Sequence, residues 1–570
     1  MRSLAPLRFA RPRRAPTPDS PSAVPTAPPV EPVEQVEPGA GRTVRSRLRA
    51  TRSEVVASAV VAVAAISVRV VPALASGGFP LNDGGLFYTM ARNLQANSFL
   101  IPANTTYNGG DIPFAYPPLS IYLVALLHAV LPVGLADLFL WLPVILSCLG
   151  VAALYFLARE LLPTRFHALV ATAAFGVVPE SYMQIIEGGG MARALGLLLA
   201  LLAAGWALRY LRRGGRRDGV AAAVAGGLAV LSHPNAALFT VMAVVLLTAH
   251  VRNFGRGARI LVGVAVVSAP WWASVAIRLG PMRLVSTGSL QGPLAGALGG
   301  LSELMFFAIG QEFFVPLVGL AGLLGLLLCL HRRSGLLAVW LILELVIDQR
   351  LGAMYAMVPL CLAAAYGVCD VVLPAFLRVT EYGDGLMPAA VWRSAPVRDG
   401  LLMALYMVAL GSLVADLTSY STDHAVPAAT RAAYQWVVVN TPPGARFAVI
   451  SGSANGQDGV QEWFPALTDR ISEATPQGLE WLGADKWLSA YKDNVTLQGC
   501  ASQTAACLLD WAAARGATPG YVFLPKGQLM GIGSPGDCCS SLRTSVLASP
   551  RFAVVYDGDG ATIVRWLPGP

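Results

Sequence analysis

Residues 79–97 read "FPLNDGGLFYTMARNLQAN". The stretch follows the first long hydrophobic run, about 55–75, and so marks where the chain leaves a membrane. Asp83 precedes two glycines, and Leu86, Phe87, Met90 and Leu94 then recur at helical spacing. The pattern is a carboxylate at the mouth of a short amphipathic helix, lying at a membrane surface.

Composition supports that setting. Only 13% of the 570 residues are charged and 55% are hydrophobic, with a mean hydropathy of +0.58. A soluble chain carries about twice that charged fraction. Repeated apolar runs of about 20 residues instead specify a polytopic α-helical membrane protein. The net charge of +8 does not signal nucleic acid, because the basic residues sit in short segments between hydrophobic runs. Residues 1–52 differ from the rest. "APTPDSPSAVPTAPPVEPVEQVEPGA" is proline-rich and poor in large apolar residues, which predicts a disordered tail. The basic flank "GRTVRSRLRATR" then holds the N-terminus on the cytoplasmic side of the plasma membrane.

Charge parity sets the crossings. Two hydrophobic stretches, 118–133 and 137–158, follow the first span and precede the basic patch "ARELLPTRFH". Cytoplasmic Arg159 and Arg165 require only one crossing there, so 118–133 reads as an interfacial or re-entrant helix and 137–158 as the second span. Spans at about 166–182 and 191–211 flank an outer "EGGG" loop, and "RRGGRRD" returns inside. Residues 219–250 exceed one helix and break at "SHPN", where proline cannot continue the ladder. Two short spans result, with His233 at the outer turn. Spans at 259–279, 312–331, 335–349, 353–374 and 399–418 bring the expected total to eleven, with 281–311 as an outer loop. An odd number leaves the C-terminal region outside.

The expected domains are thus the tail (1–52), a membrane domain (53–419) and an extracytoplasmic domain (420–570) of α/β or α+β class. In the last, "RFAVI" and "YVFLP" read as buried strands, "FAVVYDGDGATIVRW" as a hairpin about a DG turn and 503–515 as a helix. Cys148, Cys329, Cys361 and Cys369 fall in apolar spans as small buried hydrophobes. Cys500, Cys507, Cys538 and Cys539 fall in the exported region, where disulfides persist. Cys538 and Cys539 are expected to bond elsewhere rather than to each other. Trp463, Trp481 and Trp487 either stack on sugar rings or build the domain's aromatic core.

Asp83, Asp111, Glu187, His233 and Arg350 all fall at outer span ends or outer loops. The order of motifs resembles the GT-C superfamily of polyprenyl-phosphate-dependent glycosyltransferases, in the branch of protein O-mannosyltransferases and lipid A aminoarabinose transferases. "NDGGLFY" is similar to its acidic motif after the first span, and "AYPPLSIYLVALLHAVLP" to its Pro-Pro-Leu interfacial helix. "GLAVLSHPNAALF", "APWW" and "DQRLGAMYAMVPLCLAAAYG" follow at matching places, so that the likeness covers about residues 55–375.

The resemblance implies an outer-surface enzyme that passes a sugar from a polyprenyl-phosphate donor to an acceptor hydroxyl on a glycan, lipid or protein. Asp83 is then the general base, with Gly84 and Gly85 letting a substrate approach the backbone; its alternative is a helix N-cap. Glu187 is a second acid that positions the acceptor or binds a metal, or else decorates the loop. Arg350 is a phosphate clamp or a snorkelling anchor. His233 contacts phosphate or caps a helix, and Arg193 faces the lipid phosphate or anchors its helix. Asp111 and Tyr116 complete the substrate-binding candidates, with Asp111 equally suited to Gly-Gly-Asp turn chemistry. The family's protein mannosyltransferases carry Asp followed by Glu in the first motif, whereas Gly84 follows Asp83 here, so sugar and acceptor stay open. No DxD motif decides for or against a divalent cation, Mg or Mn. The competing classes are a transporter or flippase, which would use ionisable groups within spans such as Arg69 and Glu344, and a non-catalytic envelope scaffold.

Overall fold

A computed structural model describes residues 52–282, 302, 308–348, 351–377, 391, 394–418, 425–454, 458–527 and 537–567. Residues 1–51 of the expected tail, Arg350 and most of the expected loop 281–311 lie outside the described residues.

The first part of the chain is helical. The hydrophobic run becomes α1 (Arg52–Ala75), and the amphipathic stretch becomes α2 (Gly85–Ala96). A two-residue ribbon, β1 (Asn104–Thr105) with β2 (Ile112–Pro113), leads to α3 (Leu119–Val130). At 12 residues α3 reaches only about 18 Å, too short to cross, as an interfacial helix should be. Next come α4 (Leu135–Leu161), α5 (Arg165–Val177), the short α6 (Met183–Ile186) and α7 (Gly190–Arg213). The "SHPN" break separates α8 (Arg216–Val230) from α9 (Pro234–Val251), and Pro234 opens the latter where its missing N–H costs nothing. Then follow α10 (Phe254–Leu279), α11 (Leu317–His331), α12 (Leu336–Ile347), α13 (Gly352–Leu377) and α14 (Ala395–Thr418).

Among the described residues seven of these helices are long and apolar enough to cross a membrane, or eight if 165–177 and 179–186 form one span bent by 89°. The chain is a polytopic α-helical membrane protein. Three further expected crossings fall on α8, α11 and α12, which have 15, 15 and 12 residues. The bend after α5 replaces the single straight span expected over 166–182. Pro179 ends the ladder there, and the freed carbonyl of Gly176 accepts from Arg69 of α1. Arg69 is fully buried; it also donates to the Ser147 hydroxyl (2.9 Å) and its own Ala65 carbonyl (3.0 Å), and lies over the Tyr182 ring (4.7 Å).

Charge separates the two ends of the bundle along α7. At its C-terminal end Glu160 bridges Arg209 (2.8 Å) and Arg213 (3.1 Å), and Arg256 donates to the Leu211 carbonyl (2.9 Å). His167 and Arg332 meet Asp370 within the same basic tier. Glu187 and Arg193 lie at the other end, some 20 residues or about 30 Å along the axis, the thickness of a bilayer core.

After α14 the chain builds a mixed five-stranded sheet. Its strands are β3 (Arg446–Val449), β4 (Ile471–Ser472), β5 (Tyr521–Pro525), β6 (Phe552–Asp557) and β7 (Ala561–Trp566), in the order β4-β3-β5-β7-β6. The β3 pairings with β4 and β5 are parallel, and the β6–β7 hairpin joins antiparallel. Around it lie α15 (Ala428–Asn440), α16 (Gly459–Thr468), α17 (Ala484–Gly499), α18 (Ala505–Arg515) and α19 (Ser540–Leu547). Both strands, the hairpin and the helix read from sequence are present. One cysteine expectation is corrected: Cys500 bonds Cys507, and Cys538 bonds its neighbour Cys539. Once the first bridge closes across the joint of α17 and α18, each of the adjacent thiols has only the other left in this region.

Replacing Arg69 by Met strands the Gly176 carbonyl at the bend without its donor. We expect a loss of about 1–3 kcal/mol, read as a lower melting temperature in detergent and greater protease sensitivity near residues 176–183.

Candidate active site

The Asp83 turn is held by two other parts of the chain. Asn82 adopts a left-handed φ of 48° and Gly84 a φ of 131°, a value open to glycine alone. Gly84, not Asp83, occupies the N-cap of α2, and no side chain caps that helix. The capping alternative for Asp83 is therefore corrected. The Asp83 Oδ1 instead accepts from the Gly189 N–H at 3.0 Å, while the Asp83 and Leu81 carbonyls accept from Gly189 (3.1 Å) and Gly188 (2.9 Å). The "EGGG" loop thus lies backbone to backbone against "NDGG". A Cβ at Gly189 would sit 2.4 Å from the Asp83 carboxylate, so only glycine brings the N–H so close.

On its other side the turn meets α16. The Trp463 indole donates to the Asn82 carbonyl (2.9 Å), and a Cβ on Gly85 would lie 2.1 Å from the Glu462 carbonyl oxygen. The space expected to admit a substrate at Gly84 and Gly85 is filled by α16 and the Gly188–Gly189 backbone, which corrects that reading. The apolar face of α2 explains the docking. Leu86, Phe87, Met90 and Leu94 share one core with Trp463, Phe464, Tyr434 and Phe523 of the C-terminal region. Trp463 and Trp481 are buried core aromatics, and Trp487 stacks on Tyr491.

Three predicted residues come together here. Arg193 donates to Glu187 (3.0 Å) and lies 3.7 Å from Asp83, with all three at most 5% exposed. Arg193 is no interfacial anchor, for its guanidinium sits inside the bundle between two carboxylates. Its Nε is buried without an acceptor among the described residues. The fully buried Tyr355 hydroxyl is likewise without a partner, and it lies within electrostatic reach of Arg193 and Tyr116. Tyr116 packs edge-on to Phe87 (4.6 Å) and faces His233 (6.1 Å) and Trp481 (6.2 Å). His233 caps α9 by accepting from the Asn235 N–H (3.2 Å), as one of its readings expected. Asn235 in turn donates to Asp348 (2.6 Å), which also accepts from Leu351 N–H and so ties the broken turn to α13.

Other candidates stand apart. Asp111 is exposed, at the turn before β2, and does not join the buried cluster. Arg350 lies outside the described residues. Glu187 is engaged by Arg193, and among the described residues no three His, Cys, Asp or Glu side chains are arranged to hold a metal ion. A guanidinium already stands where a divalent cation would have to sit, so these residues do not fit one.

The C-terminal region adds acids that were not singled out from sequence. Glu462 is 1% exposed and neither carboxyl oxygen has a hydrogen-bond partner among the described residues. Burial, then the charges of Asp83, Glu480 and Asp458, push its carboxyl well above the usual range. Burial likewise raises Asp458 to about 6, although its Oδ1 caps α16 through the Gln461 N–H (3.0 Å). Tyr107, buried beside them, donates to the Glu462 backbone carbonyl (3.0 Å). Some 380 residues separate Glu462 from Asp83, and no local pattern in the sequence links them. Asp348 left a faint trace, an Asp just ahead of a helix start.

No family model and no curated protein matches the sequence. The fold does match solved structures. The oligosaccharyltransferase of Archaeoglobus fulgidus, solved with Zn and sulfate, aligns at TM-score 0.52 and 15% identity over 82% of this chain and 67% of its own. Archaeal AglB from the same organism, with an inhibitory peptide and a dolichol-phosphate, gives 0.49 and 14% over 82% and 69%. ArnT from Cupriavidus metallidurans, bound to undecaprenyl phosphate, gives 0.44 and 14% over 88% and 97%. The first of these shows that the two chains share a fold.

Gly85→Val puts branched carbons into the Glu462 carbonyl, a backbone atom that cannot swing aside. We expect a loss of about 1–3 kcal/mol or more, seen in thermal melting, with faster limited proteolysis of the C-terminal region.

Proposed function

We propose that this protein is an integral-membrane glycosyltransferase that moves a sugar from a polyprenyl-phosphate carrier to an acceptor hydroxyl. One observation carries the reading: Asp83, Glu187 and Arg193 meet in a buried cluster at one end of the bundle, beside helices broken at that depth. The shared fold with an oligosaccharyltransferase and the motif order from Asp83 to Tyr355 support it. The basic tier at the other end of α7 supports a cytoplasmic N-terminus and, with it, an extracytoplasmic site and C-terminal region. The boundaries 53–419 and 420–570 are our proposed division between membrane and exported domains.

In this mechanism Asp83 is the general base. The acceptor oxygen bonds to the anomeric carbon as the carbon–oxygen bond to phosphate breaks. The bonding pair leaves with the lipid phosphate, and the acceptor proton passes to Asp83. A single displacement inverts the anomeric centre. Gly189 N–H and Arg193 hold the Asp83 carboxylate in place, as a positioned base requires. Arg193 Nε and the Tyr355 hydroxyl, both buried and without acceptors among the described residues, are suited to the charge developing on phosphate. Tyr116 and His233 line the same side, and Arg350 remains a candidate clamp. Glu187 holds Arg193 between the two carboxylates. Arg69, a residue a transporter could use, is engaged in structural bonds to Ser147 and the Gly176 carbonyl, and Glu344 accepts from Trp340 through one of its two carboxyl oxygens.

The test is turnover by purified protein in lipid nanodiscs, given a panel of polyprenyl-phosphate sugars and followed by release of free polyprenyl phosphate. Asp83→Asn should lower the rate by about 10²–10⁴-fold while leaving the melting temperature near that of the wild type. Unchanged turnover in Asp83→Asn would remove the base assignment.

A further inference from the structure

We propose that Glu462 is a positioning residue that works as an uncharged carboxyl: α16 carries it from the C-terminal region onto the Asp83 turn, and its ionisation sets the upper pH limit of the site. This extends the glycosyltransferase reading and rests on it for the catalytic consequence alone.

The geometry leaves little room for a charge at this position. Glu462 is 1% exposed and among the described residues no donor reaches either carboxyl oxygen. Its own backbone carbonyl abuts Gly85, and the next residue, Trp463, is bonded to the Asn82 carbonyl. The side chain is therefore pinned at both flanks and cannot turn out to water without undocking α16. Arg92 of α2 reaches α16 at the Ala466 carbonyl (3.3 Å), one turn away, but among the described residues the groups that act most on Glu462 are acidic. They are Asp83 from the turn before α2, Glu480 from the Leu479–Leu482 turn, Asp458 from the start of its own helix, and Tyr107. Tyr107 is the single neighbour that would favour the charged form, but its hydroxyl is spent on the Glu462 backbone carbonyl. Arg193 is engaged with Asp83 and Glu187.

A carboxylate there would be desolvated, unpaired and set against the Asp83 charge. When it loses its proton, its charge repels that of Asp83, and the repulsion loosens the contact that seats α16 on the turn. Isosteric Gln reproduces the neutral acid in shape and cannot ionise.

The sign of the linkage is definite. A carboxyl whose proton is held more tightly in the folded than in the unfolded chain contributes stability below the unfolded value, and that contribution is lost as pH rises toward the folded value. Melting temperatures of full-length wild type and Glu462→Gln in nanodiscs, compared from about pH 5 to about pH 9, test this without any substrate. Glu462→Gln should be the more stable protein at alkaline pH, and the gap should close toward pH 5. A variant less stable than wild type across the range overturns the proposal, because it would mean that the charged carboxylate is needed. The second arm follows release of polyprenyl phosphate against pH. Glu462→Gln should keep turning over and should carry its alkaline limb to higher pH than wild type. An unmoved limb, or lost turnover with an unchanged melting temperature, overturns the positioning role. If wild type itself releases nothing from any donor, the glycosyltransferase reading fails while the melting comparison still decides the state of Glu462.

Discussion

The Asp83 carboxylate lies in a low-dielectric pocket where an unanswered charge would be expensive, and two contacts answer it. One is the Gly189 N–H, available because glycine lets the backbone come within hydrogen-bond distance. The other is Arg193, shared with Glu187 six residues back along the chain. Each contact presupposes the break between α5 and α7, since a continuous helix would bury those N–H groups in its own ladder. The bend in turn needs Arg69 to take up the Gly176 carbonyl. A structural cation deep in the bundle and the candidate carboxylate at its end are thus two parts of one arrangement.

The second dependence runs from the membrane helices to the sheet. α2 is too short to be stable alone, and its apolar face shares a core with Trp463 and Phe464 of the C-terminal region as well as with Ile121 of α3 and Phe139 of α4. In return the C-terminal region fixes the Asp83 turn through the Trp463–Asn82 hydrogen bond. The site is therefore assembled from two distant segments of the chain, and neither holds its working shape without the other.

Much of the candidate site was legible beforehand because membrane physics places charges by rule. Asp83, Glu187 and Arg193 stood out as ionisable groups at span ends, and they converge. The "SHPN" break and the short helix 119–130 were legible for a similar reason: proline and length leave few choices in a bilayer. Asp111 stood out by the same rule yet is merely exposed, since a span-end loop offers water as readily as a cleft. The vicinal bridge of Cys538 and Cys539 was not legible, because pairing depends on which thiols the fold has already used.

What the sequence determined alone was the solvent and the plan: apolar runs long enough for lipid, basic residues gathered at one side, and strands, a hairpin and a helix over residues 420–570. Those features follow from composition and local periodicity, which need no knowledge of neighbours. Tertiary structure alone decided that Gly85 receives a carbonyl rather than a substrate, that Arg193 is internal, and that Glu462 faces Asp83. Such facts depend on which distant surfaces exclude water together, and the sequence records only the residues that meet, not the meeting.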